Sequence, residues 1–323
     1  MTGTLAALLS RRLLLVTGKG GTGKTSVAAA LGLLGARSGR RTLVVELGDS
    51  DAVRELLAGA SGRAERSREP ERIGPELFAL QLVPEHALEE YLALQLHVRM
   101  VARAIVGNTG FHRFLDAAPG WRELITLGKL WHLTSLEQRG GAPLWPLIVV
   151  DAPATGHGLS LLSVPNVVLD TVRMGPLRRN TDRVHELMTD AAQTWVLPVT
   201  LPEELPTNET LELRARVREL GMSLGPVIAN GVEPPLGLPD PERALACLAR
   251  LPRGAAPSPL AEPEIVTAAA RHRLARARMQ REYLDLLAQK TGAAPIELPW
   301  LAGGVDGPEG AGALADRLQE ALA

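Results

Sequence analysis

The feature that most constrains this chain is the run Gly18-Lys19-Gly20-Gly21-Thr22-Gly23-Lys24-Thr25. A strand-like stretch, Leu13-Leu14-Leu15-Val16-Thr17, enters it, and a helix-forming stretch, Ser26-Val27-Ala28-Ala29-Ala30-Leu31, leaves it. Strand, glycine-rich loop and helix in that order are the context of a phosphate-binding loop. Gly18, Gly20, Gly21 and Gly23 let the backbone bend so that successive N–H groups face an anion. The helix that follows, opening with Thr25 and Ser26, points its positive end at the same place. Lys24 would then reach the β- and γ-phosphates of a nucleotide, and the hydroxyl of Thr25 would ligate a magnesium ion. Thr22 completes the loop. The ligands implied are a nucleotide phosphate and Mg2+.

A second constellation is Leu147-Ile148-Val149-Val150-Asp151-Ala152-Pro153-Ala154-Thr155-Gly156-His157. Four apolar residues ending in an aspartate read as a buried parallel strand with a carboxylate at its C-terminal tip, where open α/β sheets bind ligands. Asp151 is the second candidate for the metal. Gly156 would let the backbone approach the γ-phosphate closely. Further on, Val227-Ile228-Ala229-Asn230 ends a strand with a side chain that offers adenine one donor and one acceptor; Asn230-Gly231 is also an ordinary turn dipeptide.

These segments resemble a known family. The phosphate loop, with Lys19 directly after its first glycine, is similar to that of the ArsA, MinD and ParA class of ATPases, and the Asp151 segment resembles the Asp-Thr-Ala-Pro-Thr-Gly-His-Thr run of the ArsA family. Leu77–Leu82 with Pro84 and Tyr91, Pro119-Gly120-Trp121-Arg122-Glu123, Thr200-Leu201-Pro202-Glu203-Glu204 with Glu209-Thr210, and Leu298-Pro299-Trp300 agree with it, so the resemblance spans roughly residues 12 to 302. It implies an α/β fold, a doubly wound, mostly parallel sheet of the P-loop NTPase type (SIMIBI class) with helical insertions. It implies that Lys19 crosses a dimer interface to a phosphate on the other subunit, that Asn230 reads the base and narrows the nucleotide to ATP, and that Pro299 stands in the adenine loop. The activity it implies is Mg-ATP hydrolysis by a nucleotide-switched sandwich dimer, of identical chains or with a related ATPase, coupled to a client protein or to anion-transport machinery. A low-turnover adaptor subunit and a MinD/ParA-like positioning ATPase are the alternatives.

The chain departs from the family after Thr42-Leu43-Val44-Val45. The family has an aspartate there that positions the attacking water. Here the run is Glu46-Leu47-Gly48-Asp49-Ser50-Asp51, with Gly48 at the aligned place. Glu46 or Asp49 would have to order the water, or hydrolysis would be slow.

Composition excludes several functions. One cysteine, Cys247, allows neither an internal disulfide nor a thiolate site for arsenite, and it supplies no Cys-x-x-Cys for a shared zinc. The seven histidines show no close metal-ligand pairing. A net charge of −1 with few aromatics argues against a nucleic-acid surface. No apolar run approaches the roughly 20 residues of a membrane span, and residues 1 to 10 are too short for a cleaved signal, so the expected location is the cytoplasm.

Alternating patterns predict strands at 13–17, 42–46, 77–82, 146–150, 194–199, 226–229 and 295–299, within a single ATPase domain covering 1–323. Helical inserts at about 85–138 and 160–190 would form a helical subdomain. Their apolar content reads mainly as core and otherwise as a client groove. Residues 61–75 read as a charged exposed linker. An arginine-rich helix from Glu264 to Gln289 reads as a solvated face.

Overall fold

In the first strand, β1 (Leu13–Thr17), every residue is apolar or threonine and every one is buried, as a central parallel strand covered on both faces requires. Leu13 and Leu15 point into one hydrophobic cluster, and Leu14 and Val16 into another on the opposite face. The computed structural model describes residues 3–48, 50–59, 68–96, 100, 108, 120–138, 140–252 and 262–322.

Around β1 stand β2 (Thr42–Leu47), β3 (Glu71–Gly74), β4 (Leu77–Leu82), β5 (Leu147–Asp151), β6 (Thr194–Thr200), β7 (Ile228–Val232) and β8 (Ile296–Pro299). They form an eight-stranded sheet in the order β3-β4-β2-β5-β1-β6-β7-β8. All neighbours are parallel except β3 and β4. The chain thus winds outward from β1 in both directions, and the crevice at the C-terminal ends of β1 and β5 is the switch point where such sheets take ligands.

One face carries α1 (Gly3–Leu9), α2 (Lys24–Arg37) and α11 (Gly307–Ala321), whose Leu8, Leu31 and Leu314 meet Leu14 and Val149. The other carries α5 (Trp121–Ser135), α6 (Thr155–Thr171), α7 (Pro176–Thr189) and α8 (Glu204–Glu219), whose Leu127, Leu162, Leu187 and Leu213 pack in the cluster that holds Leu13 and Ile148. The short α3 (Ala52–Ala58) closes one edge over Leu77. Beyond the face helices lie α4 (Pro84–Leu96), α9 (Pro241–Leu248) and α10 (Pro263–Thr291).

The described parts of the two inserts are helical, and most of their buried leucines face the sheet, as the core reading has it. The apolar residues Val98, Val101, Ile105, Val106, Phe111, Phe114 and Leu115 lie outside the described residues. Helices α4, α5 and α7 line an open pocket of about 270 Å3, with Tyr91, Leu124 and Trp131 beside Glu90, Lys129 and Arg183. The second insert is two helices and not one: α6 stops at Thr171, and Pro176 opens α7, where its missing N–H costs nothing.

Two other expectations change. Part of the linker read at 61–75 is strand β3, which turns at Pro75-Glu76 and pairs antiparallel with β4 through an irregularity between Arg72 and Gly74. Only Ile73 in this strand is apolar, so it carries no alternation to read. Residues 3–9 form a helix, with Leu5, Leu8 and Leu9 in the core. The arginine face of α10 is largely solvent-exposed, as read, and four of its arginines form surface ion pairs: Arg273 with Glu233, Arg276 with Glu203, Arg278 with Glu242 and Arg281 with Glu297.

Candidate nucleotide-binding site

The loop Gly18–Gly23 leaves the end of β1 and feeds α2, whose first residue is Lys24. Two of its glycines are required by close approach. A side chain on Gly18, at φ +156°, would run into the carbonyl oxygen of Val199, and one on Gly23, at φ +87°, would run into the amide of Asn230. Thr22 is buried, and its hydroxyl donates to the Lys19 carbonyl at 2.9 Å. Lys24 Nζ donates to the same carbonyl at 3.0 Å, so the ammonium is held over the loop. Burial lowers the Lys24 pKa, and the charge of Asp151 offsets part of that. Gly20 and Gly21 have open space beside them, and Ser26 lies in the first turn of α2.

Thr25 and Asp151 meet here. Thr25 Oγ1 donates to Asp151 Oδ2 at 2.7 Å, across 126 positions of chain. Asp151 Oδ1 is buried with no hydrogen-bond partner. Burial pushes the Asp151 pKa up to about 6; the Thr25 hydroxyl and Lys24 pull it down, and Glu46 pushes it further up. An unsatisfied carboxylate oxygen beside a threonine hydroxyl is the donor set a hard divalent cation takes. Among the described residues no group of three or more His, Cys, Asp or Glu could hold a metal.

Glu46, next to last in β2, stands directly beside Asp151 in the register of the sheet. It is buried, and both oxygens are engaged: Oε1 accepts from the Ala52 N–H at 3.3 Å and Oε2 from the Val53 N–H at 3.0 Å. These are first-turn amides of α3, so the side chain that looked like a water-ordering acid in the sequence caps a helix. Gly48 sits at φ +117°, a conformation that a side chain would strain. Gln81 Nε2 donates to the carbonyls of Gly48 and Ser50 at 3.1 and 2.6 Å and pins the loop on both sides of position 49. Asp49 itself lies outside the described residues.

Asn230 Nδ2 donates to the Thr22 carbonyl at 2.9 Å. The side chain read as a base contact also ties β7 to the phosphate loop. Pro299 ends β8 opposite Val232, and Trp300, half exposed beyond it, donates its N–H to the Val232 carbonyl at 2.8 Å. Gly156, in the first turn of α6, has open space where a side chain would stand; the crowded position there is Gly158, packed against Pro153 and Thr17.

Two residues that the sequence left without a role enter the site. Glu209 of α8 forms an ion pair with Lys19 and accepts from Thr155 Oγ1 at 3.2 Å. Gln280 of α10, almost fully buried, accepts from the Glu233 N–H at 2.7 Å and donates to the Gly231 carbonyl at 3.1 Å, so it fixes the end of β7 just past Asn230. A polar residue amid the arginine face of α10 was the available signal for Gln280. For Glu209 the signal was the quoted Glu-Thr pair alone.

Sheet order, glycine loop, capping helix and the Thr25–Asp151 pair define a P-loop nucleotide-binding protein of the doubly wound α/β class. Comparison with known proteins narrows the class. Residues 11–179 match the family model described as anion-transporting ATPase, and the chain belongs to that ArsA-type family. It is 34% identical over 223 residues to ATPase BagA of Mycobacterium tuberculosis, a match covering 68% of this chain and 64% of that protein. It is 28% identical over 287 residues to ATPase GET3B of Arabidopsis thaliana, covering 70% and 65%. The chain therefore spans a little under two thirds of the length of these relatives.

Proposed function

We propose that the chain is a Mg-ATP-dependent ATPase that closes as a nucleotide sandwich dimer and couples binding and hydrolysis to a partner or client. The observation that carries this reading is the convergence of the Gly18–Thr25 loop on Asp151, which takes the Thr25 hydroxyl on Oδ2 and keeps a buried, unpartnered Oδ1 beside it. In this reading the N–H groups of Gly20, Gly21 and Gly23 and the start of α2 hold the phosphates. Lys24 neutralises the β- and γ-oxygens. Thr25 and Asp151 hold Mg2+, which when bound neutralises charge on the β- and γ-phosphates. Asn230 and the Pro299 loop take the adenine, Lys19 reaches the phosphates of the partner subunit, and Gly156 lies along the γ-phosphate. Asp49 orders the attacking water; Glu46, held by α3, keeps Asp151 and α3 in register. The unit is one ATPase domain whose insert helices carry the response to nucleotide, and it works in the cytoplasm. No helix among the described residues is long and apolar enough to cross a membrane.

The test is steady-state and single-turnover hydrolysis with magnesium, with light scattering in parallel. Lys24→Ala is expected to lose ATP binding. Lys19→Ala is expected to bind ATP and lose turnover by about 10³-fold, in the range found for cationic groups that reach a transferring phosphoryl. Turnover that survives both substitutions would sink the reading.

One observation favours a second reading. Gly48 adopts a backbone conformation unsuited to the aspartate its aligned position calls for, and Glu46 is spent on α3. An adaptor subunit that binds ATP with little turnover, paired with a related ATPase, has these features. Tight ATP binding without single-turnover product would decide for it.

A further inference from the structure

Glu209 and Lys19 lie 190 positions apart in sequence, yet they close a ring at the mouth of the site. Glu209 Oε1 pairs with Lys19 Nζ, and Glu209 Oε2 accepts from Thr155 Oγ1 at 3.2 Å. The Thr155 N–H donates to the carbonyl of Gly18, the residue before Lys19, at 3.1 Å. One carboxylate therefore holds both the extra lysine of the phosphate loop and the first residue of α6. Each side chain of the ion pair keeps about a third of its surface exposed, 31% for Lys19 and 32% for Glu209, so a competing anion can reach the ammonium. The pairing with Lys19 holds the Glu209 carboxyl below its usual range.

We propose that Glu209 is a positioning residue that parks Lys19 on its own protomer until a nucleotide phosphate competes for the ammonium, and that loss of the pair frees the start of α6. This rests on the reading that Lys19 acts across a dimer interface. A lysine bound to Glu209 cannot also reach a partner, so the pair opposes closure and sets how much ATP the dimer needs. A triphosphate carries more charge than one carboxylate and wins when both subunits are loaded. When Lys19 leaves, Glu209 retains only Thr155. Because α6 carries Leu161 and Leu162 into the core beneath the insert helices, the exchange gives the nucleotide a mechanical connection to them.

The experiment is sedimentation of wild type, Glu209→Gln, Lys19→Ala and Lys19→Ala/Glu209→Gln with Mg2+ and a non-hydrolysable ATP analogue. Analogue affinity is measured separately, at protein concentrations too low for dimers. Glu209→Gln is expected to bind the analogue like wild type and to dimerise about tenfold more tightly. The double variant is expected to match Lys19→Ala, because Glu209 acts only through Lys19. Dimerisation of Glu209→Gln equal to or weaker than wild type, with Lys19→Ala deficient, overturns the parking role and leaves the action of Lys19 intact. Wild-type dimers indifferent to Lys19→Ala overturn the action of Lys19 and this proposal with it. A second readout does not rest on dimer affinity. The carboxyl carbon-13 resonance of Glu209, assigned by its loss in Glu209→Gln, is expected to titrate lower in nucleotide-free wild type than in Lys19→Ala. In the analogue-bound dimer, where Lys19 has left and Thr155 stays, it is expected to rise toward the value seen in Lys19→Ala. A Glu209 titration indifferent to Lys19 would overturn the proposal by itself.

Discussion

At the scale of single residues the site is a set of compromises around Asp151. Its folded pKa of about 6 stands above the ordinary carboxylate value of 3.8, so the nucleotide-free protein bears an unfavourable ionisation at neutral pH. The sign follows from linkage: that cost is full above pH 6 and is relieved as pH falls from 6 toward 4. The two-unit rise corresponds to about 3 kcal/mol. Asp151→Asn is expected to stabilise the nucleotide-free protein by an amount up to that figure at pH 7.5, with the gain vanishing by about pH 4. Urea denaturation across pH measures it. The same variant is expected to lose the stabilisation that Mg-ATP gives the wild type. Glu46→Gln removes the like charge beside Asp151 and is expected to lower the pKa of Asp151, read by carbon-13 titration. Much of this centre was legible because it is local: the glycine loop and the aspartate at a strand tip are contiguous strings. The engagement of Glu46 was not legible, because an acid at a strand end reads the same whether its oxygens face water or the amides of a helix six and seven residues on.

At the scale of elements, α10 shows how unequal polar contacts are. Gln280 satisfies a backbone acceptor at Gly231 in β7 and a backbone donor at Glu233 just beyond it, and it is buried. Gln280→Leu would leave both unpaired, at about 1–3 kcal/mol for each buried orphan. It is expected to lower the urea midpoint clearly and to weaken ATP binding, since the end of β7 positions Asn230. Arg278→Ala removes an ion pair whose two side chains are more than 60% exposed, and it is expected to change the midpoint hardly at all. Strands β1, β4 and β5 were read with bounds within a residue, because buried parallel strands write continuous apolar runs. Strand β3, helix α1 and the break between α6 and α7 were not. A short edge strand needs no pattern on its open side, and a seven-residue helix shows too few turns for a period to emerge.

At the scale of the whole molecule, both faces of the sheet are cores, and one of them is built by the inserts. Leu127 of α5 and Leu162 of α6 share a cluster with Leu13, Val45 and Ile148 of the central strands. An insert folding as a separate unit would melt separately. Leu127→Ala is instead expected to destabilise the entire protein by about 2–5 kcal/mol in one transition, with fluorescence and circular dichroism coincident; two transitions would show the insert to be independent. Family membership and sheet type were legible from sequence because motif order encodes topology. How the inserts divide their apolar residues between sheet and solvent was not, since that depends on which surfaces the fold brings over them.

The two margins of the sheet are finished differently. On one side β3 runs antiparallel to its neighbour and is broken by an irregularity; on the other β8 is four residues long and ends in proline. Neither margin offers a long, straight row of free amides and carbonyls to a neighbouring strand. Copies crowded together at high concentration thus find little template for fibre-like, edge-to-edge stacking.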